Sequence, residues 1–363
     1  MIRNARIPQT LLLSGPEGVG KATLARRFGA LLLGDSKERK GSAAHAGSDD
    51  DSSDHGKSDD ETNRADLRLA RTREKIEQDD LSLESNLSIV AEREKWPADK
   101  RNDDPLFFAS HPDFLTFAPD GPLRQLTIQQ MRFLKDRATL KPLKGDWRVF
   151  LIDHIDRANE QAANSLLKTL EEPPPHLILI MTARNPYDLL PTIRSRAVPL
   201  ALSRLSDDEM GAFCDSRALD HPELRRKLAE GSPGVAVSID LDAYVQRRAA
   251  MLALLKVASG AEPFGSWLKH SDSIAARRNE KLDSYLEALY ILLEDVLRLA
   301  HGVDSIRNDD VRTELESLAR RVSFEWLRAA VRKVDDLVEL VRRNIQKSIA
   351  LDAFAVDLRA SAV

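Results

Sequence analysis

Between Trp147 and Ala197 the chain sets out two apolar runs separated by an amphipathic stretch and a triple proline. Val149–Ile152 is wholly apolar and stops at Asp153, as a strand covered on both faces of a parallel sheet does, with a carboxylate at its C-terminal end. From Asn159 the period changes. Ala163, Leu166, Leu167 and Leu170 share one helical face until Pro173, Pro174 and Pro175 forbid further turns. A second buried strand follows at Leu177–Met181. Few folds accommodate strand, carboxylate, helix and strand in so short a span, and the pattern predicts an α/β domain built on a parallel sheet.

The N-terminus supplies a matching part. Thr10–Ser14 reads as a strand running into Gly15-Pro16-Glu17-Gly18-Val19-Gly20-Lys21, after which Thr23–Leu33 reads as a helix. Strand, glycine loop and helix in that order form the setting of a phosphate-binding loop. The glycines (Gly15, Gly18, Gly20) let backbone N–H groups converge on phosphate oxygens, and Lys21 would reach the terminal phosphates. The full pattern places a Mg²⁺-binding hydroxyl directly after the lysine, where this chain has Ala22. Thr23 comes one residue late, about 100° further round the helix. Two readings follow: a degenerate nucleotide site made by these residues with Asp153, or a strand-to-helix turn in which the glycines serve geometry alone. ATP with Mg²⁺ is therefore the open cofactor question.

Net charge divides unevenly. Residues 35–104 hold 20 acidic and 13 basic side chains, a net of −7, which leaves the rest of the chain at +3 against a total of −4. A remainder so mildly basic falls far short of the stripe that marks an autonomous DNA binder. The stretch GSDDDSSDHGKSDDETN is nearly free of apolar residues, so residues 35–104 are predicted to be an acidic, largely disordered insertion with transient helices at Leu67–Ile76 and Leu81–Ala91. His45 and His55 within it read as solvated residues. A lone cysteine, Cys214, rules out an internal disulfide and any cysteine-rich zinc site, so no metal is expected. No run approaches a membrane span and MIRNARIPQT carries no signal-peptide core; a cytoplasmic protein is expected.

Ser165–Pro174 (SLLKTLEEPP) and Leu189–Arg196 (LLPTIRSR) resemble two motifs of bacterial DNA polymerase III clamp loaders, which are AAA+ proteins, and the pairing resembles the delta-prime subunits more than the ATP-hydrolysing gamma/tau subunits. His111-Pro112-Asp113-Phe114 resembles the tetrapeptide that follows the family's four-cysteine zinc module, of which no cysteine exists here. His111 itself reads as fixing a turn before the proline rather than as a catalytic base. In that family a segment before the first strand contributes to the adenine pocket, and only Met1–Gln9 stand there in this chain. The resemblance implies that Ser195-Arg196 corresponds to a Ser-Arg-Cys motif whose arginine reaches across a subunit interface to a neighbour's ATP, with Ala197 in the cysteine's place. Such a fork suits charge developing on a phosphoryl group; the plainer reading is that Arg196 pairs with a nearby carboxylate.

Three parts of the hydrolytic apparatus that the resemblance calls for are missing. Ala22 lacks the hydroxyl, His154 follows Asp153 where a glutamate would polarise water, and Gly234 in Gly231-Ser232-Pro233-Gly234 stands where hydrolytic relatives carry an arginine. The expected architecture is an α/β AAA+ P-loop domain over 1–204, an all-α lid over 205–240 and an all-α collar over 241–363. Asn344–Leu358 (NIQKSIALDAFAVDL) faintly resembles the family's final helices. The expected function is a non-hydrolytic subunit that completes a hetero-pentameric ring with gamma/tau and delta subunits. The assembly would place a sliding clamp on primed DNA during DNA replication, and this chain would supply Arg196, with no catalysis of its own outside the DNA polymerase III holoenzyme. The alternative is a catalytically active, gamma/tau-like AAA+ ATPase.

Overall fold

A computed structural model describes residues 7–34, 57–277, 280, 282–341 and 346–360. Contacts divide the chain between Arg204 and Leu205 into two compact units. In the first, three wholly buried strands form the centre of a sheet: β1 (Thr10–Ser14), β4 (Arg148–Ile152) and β5 (Leu177–Ala183). Around them stand β2 (Phe108–His111), β3 (Phe114–Phe117) and β6 (Val198–Ala201), in the order β2-β3-β4-β5-β1-β6. All pairs are parallel except β2 with β3. That exception is a hairpin, turned within His111-Pro112-Asp113-Phe114.

Strand alternation explains the two cores. Val149 and Leu151 join Leu11, Leu13, Ile178 and Ile180 on one face, against α1 (Lys21–Gly34). Phe150 and Ile152 join Leu12, Leu179 and Met181 on the other, against α5 (Ile128–Ala138) and α6 (Glu160–Glu171). Each of these two helices starts at a cap. Thr127 and Gln130 close a capping box on α5, while the Asn159 side chain accepts the Ala162 N–H at 2.8 Å on α6. The prolines then end α6 just past Glu171, as the sequence predicts.

The insertion departs from expectation. Residues 35–56 lie outside the described residues, but 57–103 carry α2 (Lys57–Glu77), α3 (Glu84–Arg93) and α4 (Ala98–Asp103). Ile76 is fully buried against the α1 face of the sheet domain. Arg26 on α1 pairs with Asp80, and Asp79 accepts the Ser110 N–H at 2.9 Å. Farther on, Arg93 reaches Asp120 at 2.8 Å and Asp104 at 3.2 Å, next to a small cluster of Val90, Leu106 and Ala118. The prediction of a largely disordered segment is thus corrected over 57–103. A few apolar side chains and buried polar pairs anchor helices that the average composition hides.

In the second unit, α8 (Asp207–Ser216), α9 (Pro222–Ala229) and α10 (Pro233–Ser238) enclose a small cluster of Met210, Cys214, Ala229 and Ala236. Arg225 ties them, its buried guanidinium donating to the carbonyls of Ala236 and Ile239, each at 2.8 Å. The rest is a helical bundle: α11 (Leu241–Ala258), α12 (Gly265–Ala276), α13 (Leu282–Ala300), α14 (Arg312–Arg321), α15 (Phe324–Val341) and α16 (Lys347–Ala360). Trp267, Tyr285, Leu289 and Leu351 lie in its core.

Candidate functional site

Ser14 pairs with Ala183 and Ile152 with Met181. The residues that follow β1, β4 and β5 therefore emerge side by side at the C-terminal edge of the sheet, where ligand crevices of open α/β sheets form. Gly15, Gly18 and Gly20 all have positive φ, at 148°, 76° and 92°. At Gly15 the requirement is strict: a Cβ there would lie 2.1 Å from the Leu202 carbonyl oxygen. Lys21 opens α1 and is 6% exposed. Its ammonium folds back over the loop, donating to the carbonyls of Gly15 at 2.8 Å and Pro16 at 2.6 Å. Burial pushes the Lys21 pKa down, while the carboxylates of Asp153, Glu17 and Asp156 pull it back up.

Asp153 is buried at the end of β4, and Thr182 Oγ1 donates to its Oδ1 at 2.5 Å. The same hydroxyl accepts the His154 N–H at 2.9 Å. His154 sits in the left-handed region at φ 55°, and its Nδ1 is buried without a hydrogen-bond partner among the described residues. Asp156 faces Arg184, whose Nε lies 3.4 Å from Oδ2. Lysine, three carboxylates, a threonine and a second cation thus share one edge. Glycine conformation and the lysine fit the phosphates of a nucleotide. The Mg²⁺ side does not fit: Ala22 packs among apolar side chains, and Thr23, exposed on the next position of α1, is not brought to Asp153 by any contact.

Arg196 and Ser195 lie on the turn after α7 (Pro191–Arg194). The Arg196 side chain is 33% exposed and pairs with Glu171 at 2.6 Å. Its other guanidinium nitrogen donates to the Thr192 carbonyl at 2.9 Å and to Ser195 Oγ at 3.3 Å. The plainer sequence reading, a carboxylate pairing, describes this geometry, and the guanidinium nevertheless stays at the surface. Among the described residues, then, the loop set of Gly15, Gly18, Gly20, Lys21 and Asp153 is brought together. Thr182, Arg184 and Glu171 complete the picture and were not singled out from sequence. Thr182 alone carried a signal, as a polar residue near the end of a buried strand.

A mostly parallel sheet with a glycine loop after its first strand and a carboxylate after a central one defines an α/β domain of the P-loop type. The chain belongs to the DNA polymerase III delta subunit family. The family model described as "DNA polymerase III, delta subunit" matches residues 1–206, and one described as "DNA polymerase III, delta subunit, C terminal" matches residues 244–354. Similar proteins include DNA polymerase III subunit delta' of Escherichia coli (strain K12), 28% identical over 223 residues, covering 61% of this chain and 65% of that protein. The delta' subunit of Bacillus subtilis (strain 168) is 30% identical over 156 residues, 41% of this chain and 45% of that protein. A gamma/tau subunit of Mycobacterium tuberculosis is 44% identical over 69 residues, 19% of this chain and 12% of that protein. The chain spans less than two thirds of the length of each of these relatives. The resemblance to delta-prime subunits is borne out. Among the described residues no helix is long and apolar enough to cross a membrane.

Proposed function

We propose that the chain is a clamp-loader subunit of DNA polymerase III that completes an AAA+ ring without hydrolysing ATP at its own loop, and offers Arg196 to the ATP of a neighbouring subunit. The observation that carries this reading is the loop itself. It keeps the phosphate-cradling backbone while Ala22 is packed among apolar side chains in the position a magnesium-binding hydroxyl would need. His154 supports it from the other side of the site, since a half-buried imidazole in a left-handed backbone is a poor substitute for a carboxylate that must polarise water.

In this reading residues 205–240 are the lid and 241–363 the collar that holds gamma/tau and delta neighbours in register, while the complete assembly loads a sliding clamp on primed DNA. This chain's share of catalysis is one guanidinium. The pair with Glu171 presents it at the surface; an ion pair this exposed is worth less than about 1 kcal/mol, so a phosphate oxygen can replace the carboxylate at little cost. Bound nucleotide at the chain's own loop would be held by the Gly15–Lys21 backbone and the Lys21 ammonium, with Asp153 as the nearest carboxylate.

The test separates this reading from a gamma/tau-like ATPase. ATP hydrolysis is measured for the isolated chain and for the reconstituted assembly carrying Lys21→Ala in this chain. Background hydrolysis in isolation, with an assembly rate that Lys21→Ala leaves intact, supports the proposal. Hydrolysis by the isolated chain that Lys21→Ala abolishes would establish the ATPase instead.

A further inference from the structure

Away from the phosphate loop, the inserted helix α2 carries three distinct faces. Leu69 and Ile76 turn toward α1, where Leu69 lies against Gly34 and Ile76 is fully buried. Asp66, Glu74 and Glu77 occupy the far side of the helix. Arg68, Arg71 and Lys75 follow at positions i, i+3 and i+7, within about 60° of one another around the axis. With Thr72 between them, these three line a cavity of about 250 Å³ whose other wall is Lys144, His111 and the C-terminal end of α1. No ion pair of the described residues involves Arg68, Arg71, Lys75 or Lys144.

Both walls are built rather than draped. The C-terminal end of α2 is pinned by the Asp79 carboxylate on the Ser110 N–H and by the Arg26–Asp80 pair. The Lys144 loop is pinned by Asp113, fully buried, whose two carboxylate oxygens accept the N–H groups of Leu143 and Lys144 at 2.7 Å each. Asp113 is thereby saturated in hydrogen bonds from within the fold, and its charge acts on His111 without forming an ion pair with any of the four cations among the described residues. His111 is 5% exposed, and its Nδ1 accepts the Asp113 N–H at 3.2 Å; burial pushes its pKa down, with the Asp113 carboxylate opposing this and Lys144 and Lys75 adding to it. The carbonyl end of α1 favours one nearby cation, but four cations on two separately anchored elements exceed what one helix terminus attracts.

We propose that this cleft binds the phosphate groups of a nucleic-acid backbone. Arginine forks suit phosphate oxygens, and Thr72 adds a hydroxyl donor. Seven residues of α2 span about 10 Å, the length over which one strand of duplex DNA presents about three phosphates. Apart from Leu33, the lining offers no large apolar side chain, so it lacks the pockets by which a protein segment would be read. The inference stands independently of the arginine-finger reading, because it uses none of the same residues.

The experiment titrates the full chain into a fluorescein-labelled DNA duplex over a salt series, followed by anisotropy. Three proteins are compared: wild type, a variant combining Arg68→Gln, Arg71→Gln, Lys75→Gln and Lys144→Gln, and Arg73→Gln as a control on the acidic side of the same helix. All five side chains are exposed, and equal thermal unfolding of the three confirms an intact fold. The fourfold variant should bind at least about tenfold more weakly at low salt, with the slope of log K against log salt reduced by about 3, as loss of three or four phosphate contacts requires. Arg73→Gln should match wild type. Equal binding and slope in the fourfold variant would overturn the proposal, as would an equal loss from Arg73→Gln. Displacement of the duplex by inorganic phosphate far below the concentration at which chloride acts would assign the cleft to a free phosphate ligand and would also overturn it.

Discussion

At the scale of single residues, the missing hydroxyl at Ala22 and the imidazole at His154 act on different steps, and they can be tested apart. Ala22→Ser restores the side chain that holds magnesium beside a phosphate. The variant should bind an ATP analogue more tightly with Mg²⁺ than without it, whereas wild type should not distinguish the two, as read by equilibrium titration. Hydrolysis should stay at background, because His154 remains. Hydrolysis restored by Ala22→Ser alone would show that the imidazole position is not a second defect. His111 makes a separate, pH-dependent prediction. Its folded pKa is lowered by burial, so the unfolded chain takes up the proton first, beginning near pH 6.5. Above that pH the residue adds no pH dependence; as pH falls below it, protonation favours the unfolded state and stability declines. His111→Asn keeps an acceptor for the Asp113 N–H and removes the titration. Its urea-unfolding midpoint should therefore fall less between pH 7 and pH 5.5 than that of wild type.

Among the elements, the inserted helices carry the clearest energetic claim. Arg93 and Asp120 are both buried, with side chains 5% and 2% exposed, and Trp96 lies beneath Arg93 and Lys100 at 4.7 and 3.5 Å from the ring centre. Removing Asp120 leaves the buried Arg93 with only the exposed Asp104 as counter-charge, so Asp120→Ala should destabilise this region by about 3 kcal/mol, the low end for a broken buried pair, whereas replacing the pair by apolar residues, as in Arg93→Met with Asp120→Leu, should recover most of the loss. Tryptophan fluorescence, with Trp96 as the local reporter, follows both in urea; a single variant within about 1 kcal/mol of wild type would contradict the role assigned to the pair. These elements also show where sequence ran out. β1, β4, β5 and α6 were legible because their residues are buried on both faces or on one clean stripe. β6 was not: it is an edge strand, mostly exposed, with Pro199 opposite Leu12, a composition edges tolerate and patterns do not reveal. α2 and α3 were legible only in part, as transient helices at Leu67–Ile76 and Leu81–Ala91, because the acidic and basic residues around them cancel in any running average. In the site, the spacing of Gly15, Gly18, Gly20 and Lys21 was its own signature. Arg184 had none and Thr182 only its place as a polar residue near the end of a buried strand, since the register of β5 against β4 and β1 is what sets them beside Asp153 and Lys21.

For the whole molecule, the two units have separate hydrophobic cores. Each should fold when expressed alone, 1–204 and 205–363 both giving cooperative thermal transitions. If the helical bundle is the collar, 205–363 should still associate with the other clamp-loader subunits on size-exclusion chromatography, and 1–204 should not. Retention of the partners by 1–204 alone would move the assembly contact out of the bundle. The central claim joins both units, because an arginine on the first can reach a neighbour's nucleotide only if the second holds that neighbour in place. It is tested most directly by the DNA-stimulated ATPase rate of the reconstituted clamp loader with Arg196→Ala in this chain. A fall of about tenfold or more, as loss of an arginine finger entails, with the complex still assembled, is the expected result. An assembled complex that hydrolyses ATP at the wild-type rate would contradict it and leave Arg196 as no more than the surface partner of Glu171.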